Sequence, residues 1–383
     1  MSHAHTVLAR LIILGAVSVG CRAEDFASQV INYTPAPGQI VNNATFNNPA
    51  RALGAPVGGG TLSANNTKVV SLGGFGGSIT LRFAQTVLDD PCNPFGLDAI
   101  VFGNAFWVLN NSNRRFAEAG VIEISRDINA NGLADDPWYV LPGSHIPSNP
   151  PAIVPNAARE SQPWDNNAST PTPPTNLAWY PLGFPGSYVT SGFALPALFD
   201  TQILTNPNGS GATREGVWGY ADLAPTLILG DTNADNTADQ PGIAPGEFYT
   251  SPDNPFAVGI TPGSGGGDAF DIARALDPDS GAPADLDGFD FIRIRNAVNF
   301  IAAELGEVST EIGGVSDVRP RPAFFDLTAD TVADIEDLYR WHELRAAEDP
   351  AADLDGDLLL AERDRALMQR CVRRAEAQEV LVP

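Results

Sequence analysis

Between about residue 28 and residue 318 the chain alternates short apolar runs with turn-forming residues. Residues 68–72, 78–83, 99–103, 120–125, 138–141, 226–229 and 290–295 read as strands. Several alternate apolar and polar positions, the period-two pattern of half-buried antiparallel strands. The run Gly-Gly-Phe-Gly-Gly at 73–77 marks a turn between two of them. Strands at this spacing predict a mainly β fold, a jelly-roll-like β-sandwich over residues 24–318. Residues 146–186 are rich in Pro, Asn, Ser and Thr. They are expected to leave the sandwich as one long loop, the kind of excursion that carries binding.

After the run Val-Arg-Pro-Arg-Pro at 318–322 the period changes. Ile335, Leu338, Trp341 and Leu344 recur at helical spacing, as do Leu360, Leu367, Met368, Cys371 and Val372. A small α-helical domain is therefore expected over residues 319–383. Each helix starts inside an acidic loop. Loop one places Asp326, Thr328, Asp330 and Asp337 at positions 1, 3, 5 and 12. Loop two places Asp353, Asp355, Asp357 and Asp364 at the same positions. That spacing wraps a hard cation such as Ca²⁺, with the position-7 carbonyl, here Val332 or Leu359, as a further ligand. Asp334 adds a carboxylate at position 9 of loop one. Neither loop has glycine at position 6, where Thr331 and Leu358 sit, so strain is expected at that bend.

The paired loop-helix segments at 326–345 and 353–373 resemble the type I dockerin family. The resemblance covers the tail alone and implies calcium binding and docking onto a cohesin-like or cell-wall partner. The positions that help choose the partner in that family hold Ile335 and Glu336 in one loop, Glu362 and Arg363 in the other. They depart from the hydroxyl pairs common in that family.

Two loops in the strand region share the acidic layout. One carries Asp127, Asn129, Asn131 and Asp135 at positions 1, 3, 5 and 9, with the Leu133 carbonyl at 7. The other carries Asp231, Asn233, Asp235 and Asp239, with Thr237 at 7. Calcium and a plain Asx-rich hairpin turn both fit such loops. The segments at 120–139, 265–271 and 306–311 resemble bacterial cell-surface proteins, which implies a secreted β-sandwich.

Composition narrows the function classes. The chain of 383 residues has 46 acidic and 22 basic residues, a formal net charge of −24. Such a surface repels nucleic acid and recruits divalent cations. The apolar run at 11–20, with Arg10 before it and Ala23 before an acidic pair, reads as a signal peptide over residues 1–23. Lipoprotein processing at Cys21 is a second possibility. No other segment is expected to span a membrane. Cys92 and Cys371 fall in different expected domains and are read as free thiols.

Mature histidines are only His145 and His342, so neither zinc chemistry nor a Ser-His-Asp site has a signature. Asp268, Asp271, Glu307 and Glu311 are candidates for two-carboxylate glycosidase chemistry. Trp138, Trp164, Trp179 and Tyr180 are candidate platforms for sugar rings. The leading expectation is an exported, calcium-stabilised sandwich that binds carbohydrate. A jelly-roll glycoside hydrolase or polysaccharide lyase, a corrinoid-like nutrient-capture protein and a structural adhesin are the alternatives.

Overall fold

A computed structural model describes residues 25–38, 40–60, 65–107, 115–116, 118–143, 153–161, 188–196, 219–228, 249, 265–297, 309–356 and 359–379. The described residues are mainly β, with antiparallel strands and two α-helices. Five strands form the largest sheet: β1 (Gln29–Thr34), β3 (Ser78–Leu88), β12 (Gly288–Asn296), β7 (Gly120–Ser125) and β8 (Trp138–Leu141), in that spatial order. Its centre is the pairing of β12 with β3 and β7, where Ile292 faces both Leu81 and Ile124 in register. Alternate residues of these strands point to one face. Ile79, Leu81, Phe83, Ile122, Ile124, Ile292 and Ile294 share one buried cluster. The opposite face carries Glu123 with Arg293 and Arg295. Glu123 is buried, and both guanidiniums reach it, at 2.6 and 2.8 Å. A buried carboxylate needs that compensation.

A three-stranded sheet joins the same core. It is ordered β11 (Asp268–Phe270), β4 (Ala99–Phe102) and β14 (Gly314–Asp317). Ala99 and Val101 of β4 pack into the cluster shared with the large sheet, while Ile100 and Phe102 pack against Phe26, Leu227 and Tyr249 on the other side. This sheet is therefore apolar on both faces, which is why the run at 99–102 shows no alternation. β2 (Val70–Ser71) pairs with β13 (Glu311–Ile312), and β5 (Phe106–Trp107) with β6 (Arg115–Phe116). Within the stretch expected to run as a loop, Ile153–Ser161 forms β9, paired antiparallel with β10 at Tyr188–Pro196. Proline, asparagine and alanine within β9 give it little strand signal of its own.

Helix α1 (Ile335–Ala346) and helix α2 (Glu362–Glu379) both begin at position 10 of their acidic loops. Trp341, Leu344, Leu367, Met368 and Val372 pack between them, and the Trp341 indole donates to the Ala352 carbonyl at 2.8 Å. Asp334 caps α1, accepting from the Glu336 amide, while Asp337 accepts from the Asp334 amide. This reciprocal box satisfies amides that a helix start leaves without partners. No described helix is long and apolar enough to cross a membrane.

The expectation of two free thiols is overturned. Cys92 and Cys371 are joined by a disulfide, with Cα atoms 4.7 Å apart. Helix α2 folds back onto the rim at residues 89–98, which brings together cysteines 279 positions apart. Arg370 pairs with Asp89 at 2.6 Å, Arg374 with Asp90 at 2.9 Å, and Leu367 lies against Gly96. Peptide mapping without reductant should recover both cysteines in one cross-linked peptide, and recovery as two separately alkylated thiols would refute the pairing. Cys92→Ser is expected to cost about 2–5 kcal/mol in denaturant unfolding.

Candidate functional site

Loop one and the loop at 127–135 have the same backbone. In loop one the Asp326 carboxylate accepts the amides of Asp330 and Thr331, positions 5 and 6, at 3.1 and 2.8 Å. In the other loop Asp127 accepts the amides of Asn131 and Gly132, again positions 5 and 6, at 3.0 and 2.9 Å. Position 5 then accepts the position-7 amide in both, Asp330 from Val332 and Asn131 from Leu133. Positions 4 and 6 take positive φ in both: Ala329 and Thr331 at 62° and 81°, Ala130 and Gly132 at 54° and 77°. Thr331 is thus a β-branched residue in the left-handed region, at about 1–2 kcal/mol of strain.

The two loops are closed differently. In loop one Asp337, fully buried, accepts the amides of Leu327 and Thr328 on one oxygen and of Asp334 on the other. Three donors leave about one lone pair of a carboxylate for a further contact. In the loop at 127–135 the Asn131 side-chain amide donates across to Asp135, and Arg82 approaches Asp127 at 3.7 Å.

Loop two repeats the closure of loop one. Asp364 accepts the amides of Leu354, Asp355 and Ala361. Asp353, Asp355 and Asp364 each bring an oxygen within 4.8 Å of the others, a spread that a single cation can bridge. Gly356 at position 4 has φ 74°. Arg363, position 11, is tied inward: its guanidinium contacts Asp355 at 3.0 Å and Asp271 at 2.7 Å. Asp271 also caps the short helix Ile272–Arg274. Burial pushes its carboxyl upward, opposed by Arg363. Asp98 beside it is pushed well up by burial, then by Asp271 and Asp89.

Another constellation was only partly visible in the sequence. Glu118, Asp222 and Glu311 are all buried, and an oxygen from each lies within 4.8 Å of the others. Asp222 accepts the amides of Asn104 and Glu311. Burial still pushes its carboxyl up to about 7. Burial pushes Glu311 well above its usual range, reinforced by the negative charges of Glu118 and Asp222. These groups line a cavity of about 90 Å³ with Asn66, Asn104 and a phenylalanine wall of Phe46, Phe106 and Phe116. Of this set only Glu311 stood among the sequence candidates. Glu118 and Asp222 lie in no local motif, and a backbone bond from the Glu118 amide to the Asp222 carbonyl brings them together.

Other candidates have different surroundings. Asp268 accepts the amides of Leu223 and Ala224 and so fixes the chain near Asp222. Trp138 is half-buried, and the Arg293 guanidinium covers one ring face at 4.0 Å. Residues 1–23, Trp164, Trp179, Tyr180, Asp231, Asn233, Asp235, Thr237, Asp239, Glu307 and Asp357 lie outside the described residues.

Raised carboxyl values make the folded chain hold protons that the unfolded chain, titrating near pH 4, releases. With divalent ions chelated, stability is therefore expected to fall as pH rises from about 4 towards about 7. Glu311→Gln, which keeps the shape of a protonated glutamate, should flatten that fall. An unchanged slope in denaturant titrations across this range would count against buried protons at the site. The chain matches no protein-family model, and no curated protein matches it.

Proposed function

We propose that this is an exported calcium-binding protein whose paired tail loops each hold one Ca²⁺. Its β-rich region, arranged as a jelly-roll-like sandwich, carries the site for an extracellular ligand of the carbohydrate class. One observation carries the calcium assignment. Asp353, Asp355 and Asp364 converge in a loop whose closing hydrogen bonds repeat those of loop one, donor for donor. Oxygen-only ligands of this kind suit a hard cation. The loop at 127–135, with the same fold as loop one, is a further calcium candidate. The disulfide suits an oxidising compartment and so supports export.

The tail's resemblance to dockerins adds a partner surface. Arg363 is held by Asp271 and Asp355, whereas Ile335 and Glu336 are exposed. A cohesin-like or cell-wall partner is therefore best placed on the α1 side, where Tyr339 is exposed one turn beyond Ile335. Glycoside hydrolysis has less support at the described carboxylates. Glu118 and Glu311 hydrogen-bond each other, closer than the separations of about 5–9.5 Å used by glycosidase pairs. Their cavity of about 90 Å³ is also well below the ~300 Å³ of small-molecule sites.

Calorimetric titration of the chelated full chain with Ca²⁺ should give saturable binding, with two sites lost in the double variant Asp326→Ala and Asp353→Ala. Absence of calcium heat in the unaltered chain would sink the assignment. Saturating calcium, at about 100 times Kd, should add about 2.7 kcal/mol to stability per occupied site. On a polysaccharide array the calcium-loaded chain is expected to bind without releasing reducing ends, and product release would favour the hydrolase or lyase alternative.

A further inference from the structure

We infer that the cavity between Glu118, Asp222 and Glu311 is a second kind of divalent-cation site, built for Ca²⁺ in the β-rich region. It shares no residue with the tail loops and stands whether or not they bind calcium.

Glu118 precedes β7, Asp222 lies in the described segment 219–228, and Glu311 opens β13. Their relative exposures are 3%, 1% and 5%. Three oxygens no more than 4.8 Å apart lie within about 2.8 Å of a common centre, so a small inward shift brings them to the Ca–O range of about 2.3–2.6 Å. An acidic cluster alone would carry little weight. A separate observation points to a ligand: the side-chain oxygen of Asn104 is buried and has no hydrogen-bond partner. It belongs to the lining of the same cavity. The amide nitrogen of Asn104 is committed to Asn66 at 2.9 Å and its side chain also bonds Glu311. Flipping the amide would therefore set oxygen against oxygen. A buried amide oxygen without a donor is destabilising, and a cation beside it removes that penalty.

Among the described residues, no basic side chain lines the cavity. By contrast, Arg293 and Arg295 pair with Glu123, and Arg363 and Arg370 with Asp271 and Asp89. A cavity of about 90 Å³ has room for an ion and about two waters at ~30 Å³ each. The donors are all oxygen, which excludes the thiolate and imidazole sets that select zinc. Backbone amides of Asn104 and Glu311 grip Asp222 from behind, at 2.6 and 2.9 Å, and so fix a ligand before the ion arrives.

Crystals of the full chain grown with calcium should show an anomalous peak 2.3–2.6 Å, about the Ca–O range, from oxygens of Glu118, Asp222 and Glu311. A cavity holding only water while the tail loops show peaks would overturn this inference and leave the tail assignment intact. A peak in the cavity with none in the tail would do the reverse. In calorimetry, Glu311→Gln should remove one calcium site, or weaken it at least about tenfold, in a chain that already carries Asp326→Ala and Asp353→Ala. The glutamine can still bond Asn104 and Glu118, and an unchanged circular dichroism spectrum checks that the variant folds. Unchanged stoichiometry and affinity would overturn the assignment.

Discussion

A carboxylate taken out of water needs a counter-charge, a set of donors or a proton, and the cost of giving it none exceeds the stability of most domains. This chain meets that requirement under pressure, because its acids outnumber its bases 46 to 22. Several of its arginines sit against buried or half-buried acids. Glu123 under the central sheet takes Arg293 and Arg295, and the rim at Asp89, Asp90 and Asp271 takes Arg370, Arg374 and Arg363. Backbone amides serve other buried acids, Asp268, Asp337 and Asp364. In the cluster of Glu118, Asp222 and Glu311, backbone amides hold Asp222, while burial pushes the Asp222 and Glu311 carboxyls upward.

The same economy joins the tail to the rest of the molecule. Arg363, at position 11 of loop two, bridges a loop-two carboxylate and the cap of a short helix in the β-rich region. Loop two is therefore held from inside the molecule. Loop one and α1 keep their outer face, with Val332, Ile335 and Tyr339 exposed. Two loops that look alike in sequence occupy different surroundings, and that difference separates an internal joint from an outward surface.

The strands with alternation, such as those containing Ile79 and Leu81 or Ile292 and Ile294, were legible because apolar residues line one face while polar residues such as Thr80, Arg293 and Arg295 lie on the other. The change to helical period after residue 322 was equally clear, as was the bend at Thr331, where the missing glycine shows as φ 81°. The disulfide was hidden, since nothing near Cys92 records that α2 returns to it. Asp222 was hidden for the same reason: its meaning comes from Glu118 and Glu311, far off in sequence, whose backbone amides donate to its carbonyl and its carboxylate. β9 was missed because its register comes from β10 and not from its own residues.

The bond between Cys92 and Cys371 encloses most of the chain in one covalent ring, since the two residues stand 279 positions apart. A protease that cuts one peptide bond anywhere inside that ring opens it without releasing a fragment. Both products stay tethered, and the packed elements on either side of the cut remain at high effective concentration. Wherever the folded chain meets a protease, the ring turns a severing event into a local nick.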